Sequence, residues 1–253
     1  MNKAIAFLLL GASLTYAQGP RGGGFGPMGG RGMGMFGVGP QALVTGAPYS
    51  AVEVVQTVET LADGNRITNQ HKTTVHRDGQ GRIRTEETIT PDASTGKPAY
   101  TVATILDYVG GYRYMLDSST MTAYQSPLRI PRTPPASSKT PTQRPNVVTA
   151  ELAPQSINGV LASGTQHTQT IPAGAIGNAQ AIQTSRVVWM SNDLKVPVQI
   201  RSTDPRFGST TMELTNIVQA EPSGSLFVVP AGYTLKATGR GGPGGMMRGP
   251  RGR

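Results

Sequence analysis

The chain has 253 residues, a net charge of +9 and no cysteine. The lack of cysteine excludes disulfide bonds, thiolate metal sites and c-type haem attachment, so a packed core alone must hold the fold together. The length allows one sizeable core or two small ones between the terminal segments.

The N-terminus has the order of residues found in secretory signal peptides. Lys3 gives a positive start, residues 4–14 form an apolar run, and Ala17 offers a small residue before a cleavage site. The run is too short to span a bilayer. We therefore predict that residues 1–17 are a signal peptide and that the mature chain has no transmembrane segment. The protein is expected in the periplasm, at the outer-membrane surface or outside the cell.

Glycine and arginine dominate both ends of the predicted mature chain, at 18–45 and 236–253. All 14 acidic residues lie between Glu53 and Glu221, so the excess positive charge belongs largely to these ends. Such segments cannot bury enough apolar surface to offset chain entropy, and we predict disordered tails. Export removes nucleic acid as a partner. The tails are expected either to contact anionic envelope surfaces or to act as solvated spacers.

From Tyr49 the sequence alternates with a period of two. Val52, Val54 and Val58 share one parity and the glutamates take the other, which predicts a half-buried strand. Two Asp-Gly pairs separate this run from two further alternating runs, and Asp-Gly is typical of hairpin turns. The pattern predicts a three-stranded antiparallel meander over 49–89.

A second hairpin is predicted in AYTVATILDYVGGYRYMLD, and MTAYQS around Tyr124 predicts a further short strand. Residues 127–150 are rich in proline and have no periodicity. They are either a linker between two domains or a loop inserted into one sheet. Beyond them, SINGVLASGTQHTQTIPAGAIGN predicts a long hairpin, strands are expected around Val198 and Met212, and SLFVVPAGY predicts a last strand.

Helical signals are scarce, because no long segment combines helical apolar spacing with caps. Roughly ten strands in one sheet tend to curl or close. We predict a mainly β fold over 46–235. It is a large curved antiparallel sheet or open half-barrel, with one apolar face, few short helices and disordered glycine-rich tails.

The residues from Val187 to Tyr233 form a recognisable order of strands and turns. Its members are Trp189, Asp193, Leu194, Pro197, Val198, Leu214, Asn216, Ile217, Leu226, Phe227, Pro230, Gly232 and Tyr233. This order resembles the last strands of the LolA/LolB/RseB-like superfamily of exported lipoprotein carriers and sensors. The stretches IPAGAIGN and EPSGSLFVVPAGY also resemble uncharacterised exported proteins of Acidobacteria-type soil bacteria. The first resemblance implies an open half-barrel whose concave face accepts acyl chains, usually under short helices. Such covering helices are not evident in this sequence.

The polar residues do not predict a catalytic, metal or cofactor site. His71 and His76 are five residues apart on one predicted strand and therefore face opposite sides, as do the adjacent Glu86 and Glu87. This spacing argues against a shared metal and against a paired-carboxylate site. Nucleophile-elbow, phosphate-loop and dinucleotide fingerprints are absent. We expect a non-enzymatic protein without a cofactor, with a hydrolase of unrecognised site as an alternative.

Five aromatic residues are candidates to line one face of the sheet: Tyr100, Tyr112, Tyr114, Trp189 and Phe227. Large apolar side chains usually fill a core. If the sheet is open, the same residues would form a groove for an acyl chain or a lipoprotein. The sequence thus predicts an exported envelope protein that binds a hydrophobic ligand. The alternative is a structural or surface-associated scaffold with a fully packed sheet and no small ligand.

Overall fold

The computed structural model describes residues 43–128 and 146–238, and they form one twelve-stranded sheet. The prediction of a mainly β fold with few short helices is confirmed. In the described ranges the helical elements are two short 3-10 turns, Ala93–Thr95 and Gly224–Phe227. The strands are β1 (Tyr49–Thr60), β2 (Arg66–Arg77), β3 (Ile83–Ile89), β4 (Tyr100–Asp107), β5 (Tyr112–Asp117), β6 (Thr122–Pro127), β7 (Val147–Ile157), β8 (Val160–Ile171), β9 (Ile182–Ser191), β10 (Val196–Asp204), β11 (Gly208–Val218) and β12 (Thr234–Ala237).

The sheet extends in both directions from a central pair, β1 and β11. Strands β1 to β6 follow one another to one side, and β11 to β7 follow one another to the other. These neighbours are antiparallel, whereas β12 pairs in parallel with β6. The two outermost strands, β12 and β7, are not paired with each other, so the sheet is open. The predicted meander over 49–89 and the predicted hairpin after it are both present.

The buried face of β1 is the one opposite to Val52 and Val54. Its buried residues are Tyr49, Ala51, Glu53 and Val55, while Val52 and Val54 are only partly buried. The register explains this choice, because Ala51 lies opposite Val75 of β2 and Val55 lies opposite Met212 of β11. Cross-strand partners share a face, so the apolar neighbours of β1 bring Glu53 inside with them.

The face that bears Ala51, Glu53 and Val55 is concave. Arg77 of β2 is the cross-strand partner of Tyr49 and shares this face. Its guanidinium donates to the carbonyl of Leu194, in the turn between β9 and β10. Strands β1 and β11 lie between β2 and β10 in the sheet, so this contact requires the sheet to roll toward that side. We call this side the concave face and the other the convex face.

Apolar clusters lie on both faces, and the expectation of a single apolar face is wrong. The larger cluster includes Ala51, Val75 and Leu214 of the concave face. Val75 pairs with Thr85, which pairs with Thr104, so Ile105 lies on the convex face. The second cluster there contains Ala103, Ile105, Leu116, Ala123 and Phe227. A sheet this wide and this rolled needs packing on each side, which alternation along single strands does not reveal.

The segment after β11, residues 219–233, crosses the convex face from the centre of the sheet to β12 at its edge. Glu221 accepts hydrogen bonds from the Gly79 amide, and the Leu226 carbonyl accepts one from Arg84 at 3.2 Å. Phe227 packs into the convex cluster, and the Cζ atom of Arg82 lies 5.0 Å from the centre of the Phe227 ring. The expected last strand in SLFVVPAGY is therefore wrong, because this segment runs over the strands instead of pairing with them.

Regular structure reaches into two stretches for which loops or tails were predicted. Strand β6 includes Pro127 and β7 begins at Val147, inside the proline-rich range 127–150. Strand β12 ends at Ala237, two residues into the predicted C-terminal tail. Residues 1–42, 129–145 and 239–253 lie outside the described residues, so the signal peptide, the linker or loop and the tails stay predictions.

Candidate functional site

The five aromatic residues proposed for a groove are not brought together. Tyr112 and Tyr114 lie on the convex face, with ring centroids 6.2 Å apart, and Tyr114 packs toward Phe227 in the convex cluster. Trp189 is buried in the larger cluster, where its ring lies against Gly164. Only Tyr100 is placed by the β4 register on the concave face of the β3–β6 strands.

Four apolar side chains, Tyr100, Val102, Met115 and Tyr124, form the surface that we call the concave wall. Tyr100 and Val102 are two residues apart on β4 and therefore share a face. Met115 of β5 is the cross-strand partner of Tyr124 on β6. Thr104 connects them, because it shares the β4 face with Val102 and lies opposite Met115. All four are partly buried, and none of them belongs to a core cluster of the described residues.

Beside the wall lies a polar group, Glu53, His71, Thr73 and Glu87, that we call the acidic flank. Glu53 of β1 lies opposite Thr73 of β2. The Nε2 atom of His71 is 3.3 Å from the Thr73 hydroxyl and 3.4 Å from the Glu87 carboxylate. Glu87 is in turn the cross-strand partner of Val102, the nearest residue of the wall. The flank therefore borders the wall directly.

Glu53 is the most unusual residue of the flank. It is 3 % exposed, and its Oε1 atom is buried without a hydrogen-bond partner among the residues that the structure describes. Burial raises its pKa to about 7, because removal from water disfavours the charged carboxylate. Arg77 lies on the same face, but its guanidinium is bound to the carbonyls of Ala47 and Leu194. A buried group left in this way costs stability, which marks it as a candidate for function.

Within each of the two titratable pairs considered from the sequence, His71 with His76 and Glu86 with Glu87, the side chains lie apart in the part of the chain that the structure describes. His71 and His76 lie on opposite faces, as their spacing predicts, and His76 Nδ1 is 2.8 Å from the Ser50 hydroxyl. Burial lowers the pKa of His76. Glu86 pairs with Arg84 on the convex side, away from Glu87. In the described ranges no three His, Asp or Glu side chains are grouped so that they could hold a metal ion.

Sequence reasoning missed Glu53, Val102, Met115 and Tyr124 as site residues. The signal for Glu53 was a charged residue on the same parity as Ala51 and Val55, which the more numerous valines concealed. The wall required the strand register, because residues on β4, β5 and β6 become neighbours only through it. No helix among the described residues is both long and apolar enough to cross a membrane.

No protein-family model matches the sequence, and no curated protein matches it either. Solved structures similar to this chain include an uncharacterized conserved protein from Thermus thermophilus, with 11% identity, a TM-score of 0.40 and coverage of 76% of this chain and 91% of that chain. A LolA superfamily protein from Nitrosomonas europaea has 9% identity, a TM-score of 0.31 and coverage of 75% and 93%.

The MucA/MucB complex of Pseudomonas aeruginosa has 10% identity, a TM-score of 0.39 and coverage of 76% of this chain. The match spans 58% of that chain, so this chain covers little more than half of it. The structural neighbours thus include a LolA-superfamily protein and MucB chains.

Proposed function

We propose that this chain is an exported, non-enzymatic envelope protein whose concave wall binds a hydrophobic ligand, an acyl chain that is free or carried by a lipoprotein. The observation that supports this most is the wall itself. Tyr100, Val102, Met115 and Tyr124 keep apolar surface partly exposed outside every core cluster of the described residues. On the opposite side of the same strands, the convex face is covered by the segment of residues 219–233.

The dimensions of the wall suit a single extended chain. Neighbouring strands are about 4.8 Å apart, so β4 and β6 are separated by roughly 10 Å. A ligand of this kind would remove the remaining apolar area of the wall from water, and each buried methylene contributes about 0.8 kcal/mol.

Export and location rest on the N-terminal signal in residues 1–17, outside the described residues. The glycine- and arginine-rich ends, 18–45 and 236–253, would tether the protein loosely to anionic envelope surfaces. Such attraction is weakened by salt. Deleting residues outside the sheet, 19–39 and 239–253, should lower retention on anionic vesicles at low ionic strength.

Titration of the mature protein with a fluorescent fatty acid tests the wall. Saturable binding is expected, and Val102→Lys should weaken it at least about tenfold, because a lysine on the wall would be desolvated by the ligand. Thr101→Lys is the matched control, since it is adjacent on β4 and faces the convex side. Native mass spectrometry would show whether a lipid co-purifies. Binding that does not saturate, or equal loss in both variants, would favour a packed scaffold without a small ligand.

A further inference from the structure

We propose that the ligand of the concave wall carries a cationic nitrogen head that binds at the acidic flank, between Glu53 and Glu87. This inference rests on the function proposed above and names the chemical class of the ligand. The alternatives are a neutral or an anionic head on the same apolar chain, and the experiment below separates them.

The geometry places two carboxyl groups around one small residue. Strands β1 and β3 are the neighbours of β2, so Glu53 and Glu87 lie on either side of β2 near Thr73. The backbones of β1 and β3 are about 10 Å apart, and each glutamate side chain reaches roughly half of that distance. Thr73 is buried and the His71 Nε2 atom lies 3.3 Å from its hydroxyl, so a small cation would contact both carboxylates by displacing the His71 imidazole. The apolar chain of this cation would leave past Val102, the cross-strand partner of Glu87.

Among the described residues, no arginine or lysine forms an ion pair with Glu53 or Glu87. The basic contact of Glu87 is His71, at 3.4 Å, and a histidine is charged only when it is protonated. The guanidinium of Arg77 donates to two backbone carbonyl groups. Arg113 of β5 lies opposite Leu106, four residues along the strand from Asp117 at the flank. Four residues of strand are about 13 Å. Asp117, opposite Val102, adds a third carboxylate on this face.

The buried carboxyl of Glu53 supports a bound cation independently of the position and charge of the flank. It is buried, and no residue in the described ranges provides a hydrogen-bond partner for its Oε1 atom. An apolar residue of similar size would pack in the same place without that penalty, since an unpartnered buried carboxyl is costly. A bound ammonium would give Oε1 its partner and would favour the ionised carboxylate. The arrangement thus favours a cationic head over a carboxylate or phosphate head on the same apolar chain.

Three probes with the same twelve-carbon chain test the inference: dodecylamine, dodecanol and dodecanoate. Their dissociation constants for the mature protein are measured near neutral pH by displacement of the fluorescent fatty acid. The amine should bind at least about tenfold more tightly than the carboxylate, as expected for a hydrogen bond between charged groups. Glu53→Gln should remove most of this preference and leave dodecanol binding unchanged. Glu59→Gln, at the exposed end of the same strand, should behave as wild type.

Each outcome decides one point. Equal dissociation constants for the three probes, or tighter binding of dodecanoate, would overturn the cationic head and leave the wall as proposed. An equal loss of all three probes in Glu53→Gln would make Glu53 a structural residue and also overturn the inference. Failure of every probe to bind, together with no effect of Val102→Lys, would instead refute the proposed function.

Discussion

Replacing Glu53 with glutamine tests whether this one buried acid makes stability depend on pH. Burial raises the pKa of Glu53 from an ordinary value of 4.5 to about 7. The folded state therefore holds this proton more tightly than the unfolded state does. The resulting stabilisation is complete below about pH 4.5 and is lost as the pH rises through about 7. At about 1.4 kcal/mol per pH unit, this difference in pKa between the two states changes the free energy of unfolding by about 3 kcal/mol.

Urea unfolding at a series of pH values between 4 and 8 measures the effect. The difference in the free energy of unfolding between Glu53→Gln and wild type should rise by about 3 kcal/mol in favour of the variant from pH 4.5 to 7. Taking the difference removes the contributions of all other titrating groups. Glu59→Gln should give a curve parallel to wild type, because Glu59 is exposed. If Glu53→Gln also ran parallel to wild type, the carboxyl would not be desolvated and the reasoning would be refuted.

Two further substitutions test the packing of the C-terminal half. Gly164→Ala should lower the free energy of unfolding by about 1–3 kcal/mol, because a Cβ atom there would lie 2.6 Å from the Trp189 ring. Gly224→Ala, where nothing lies within 4 Å of the added carbon, should have little effect, and equal loss in both would argue against the Trp189 contact. Asn158→Gly should remove the two 2.7 Å hydrogen bonds from the turn between β7 and β8 to Glu213 and to the Leu214 carbonyl. Glycine keeps the left-handed backbone, so a loss of about 1–2 kcal/mol and faster amide exchange in β7 and β8 are expected, and unchanged exchange would count against this anchoring.

The strands themselves could be predicted from local patterns. Period-two alternation and Asp-Gly turns were sufficient for β1 to β3, and the scarcity of helical spacing was sufficient for the fold class. The turn at Asn158 and Gly159, which joins β7 to β8, uses the residues that a two-residue hairpin requires, with positive φ at both. Local backbone preference and side-chain alternation determine these features, and both can be read in a short window.

The faces and the site could not be predicted in the same way. The side of β1 that is buried depends on Val75 and Met212, which come from two other strands. The same is true of the aromatic residues, because Tyr100 and Tyr114 lie on opposite faces only through the register of β4 with β5. Residues 225–233 were predicted as a strand because they contain the apolar and β-branched run Leu226–Val229, but they cover the convex cluster instead. Packing between distant segments decides each of these points.

The order of the strands also has a consequence for how the chain reaches its native state. Nearly all antiparallel neighbours are consecutive in the sequence, whereas the central pair joins residues as distant as Val52 and Thr215, 163 positions apart. Contacts of that separation form slowly, because a long loop must close before they stabilise anything. Until β11 has been synthesised, one edge of β1 presents unpaired backbone groups. Such an edge invites pairing with other chains, so the newly synthesised protein would be most vulnerable to aggregation in this interval.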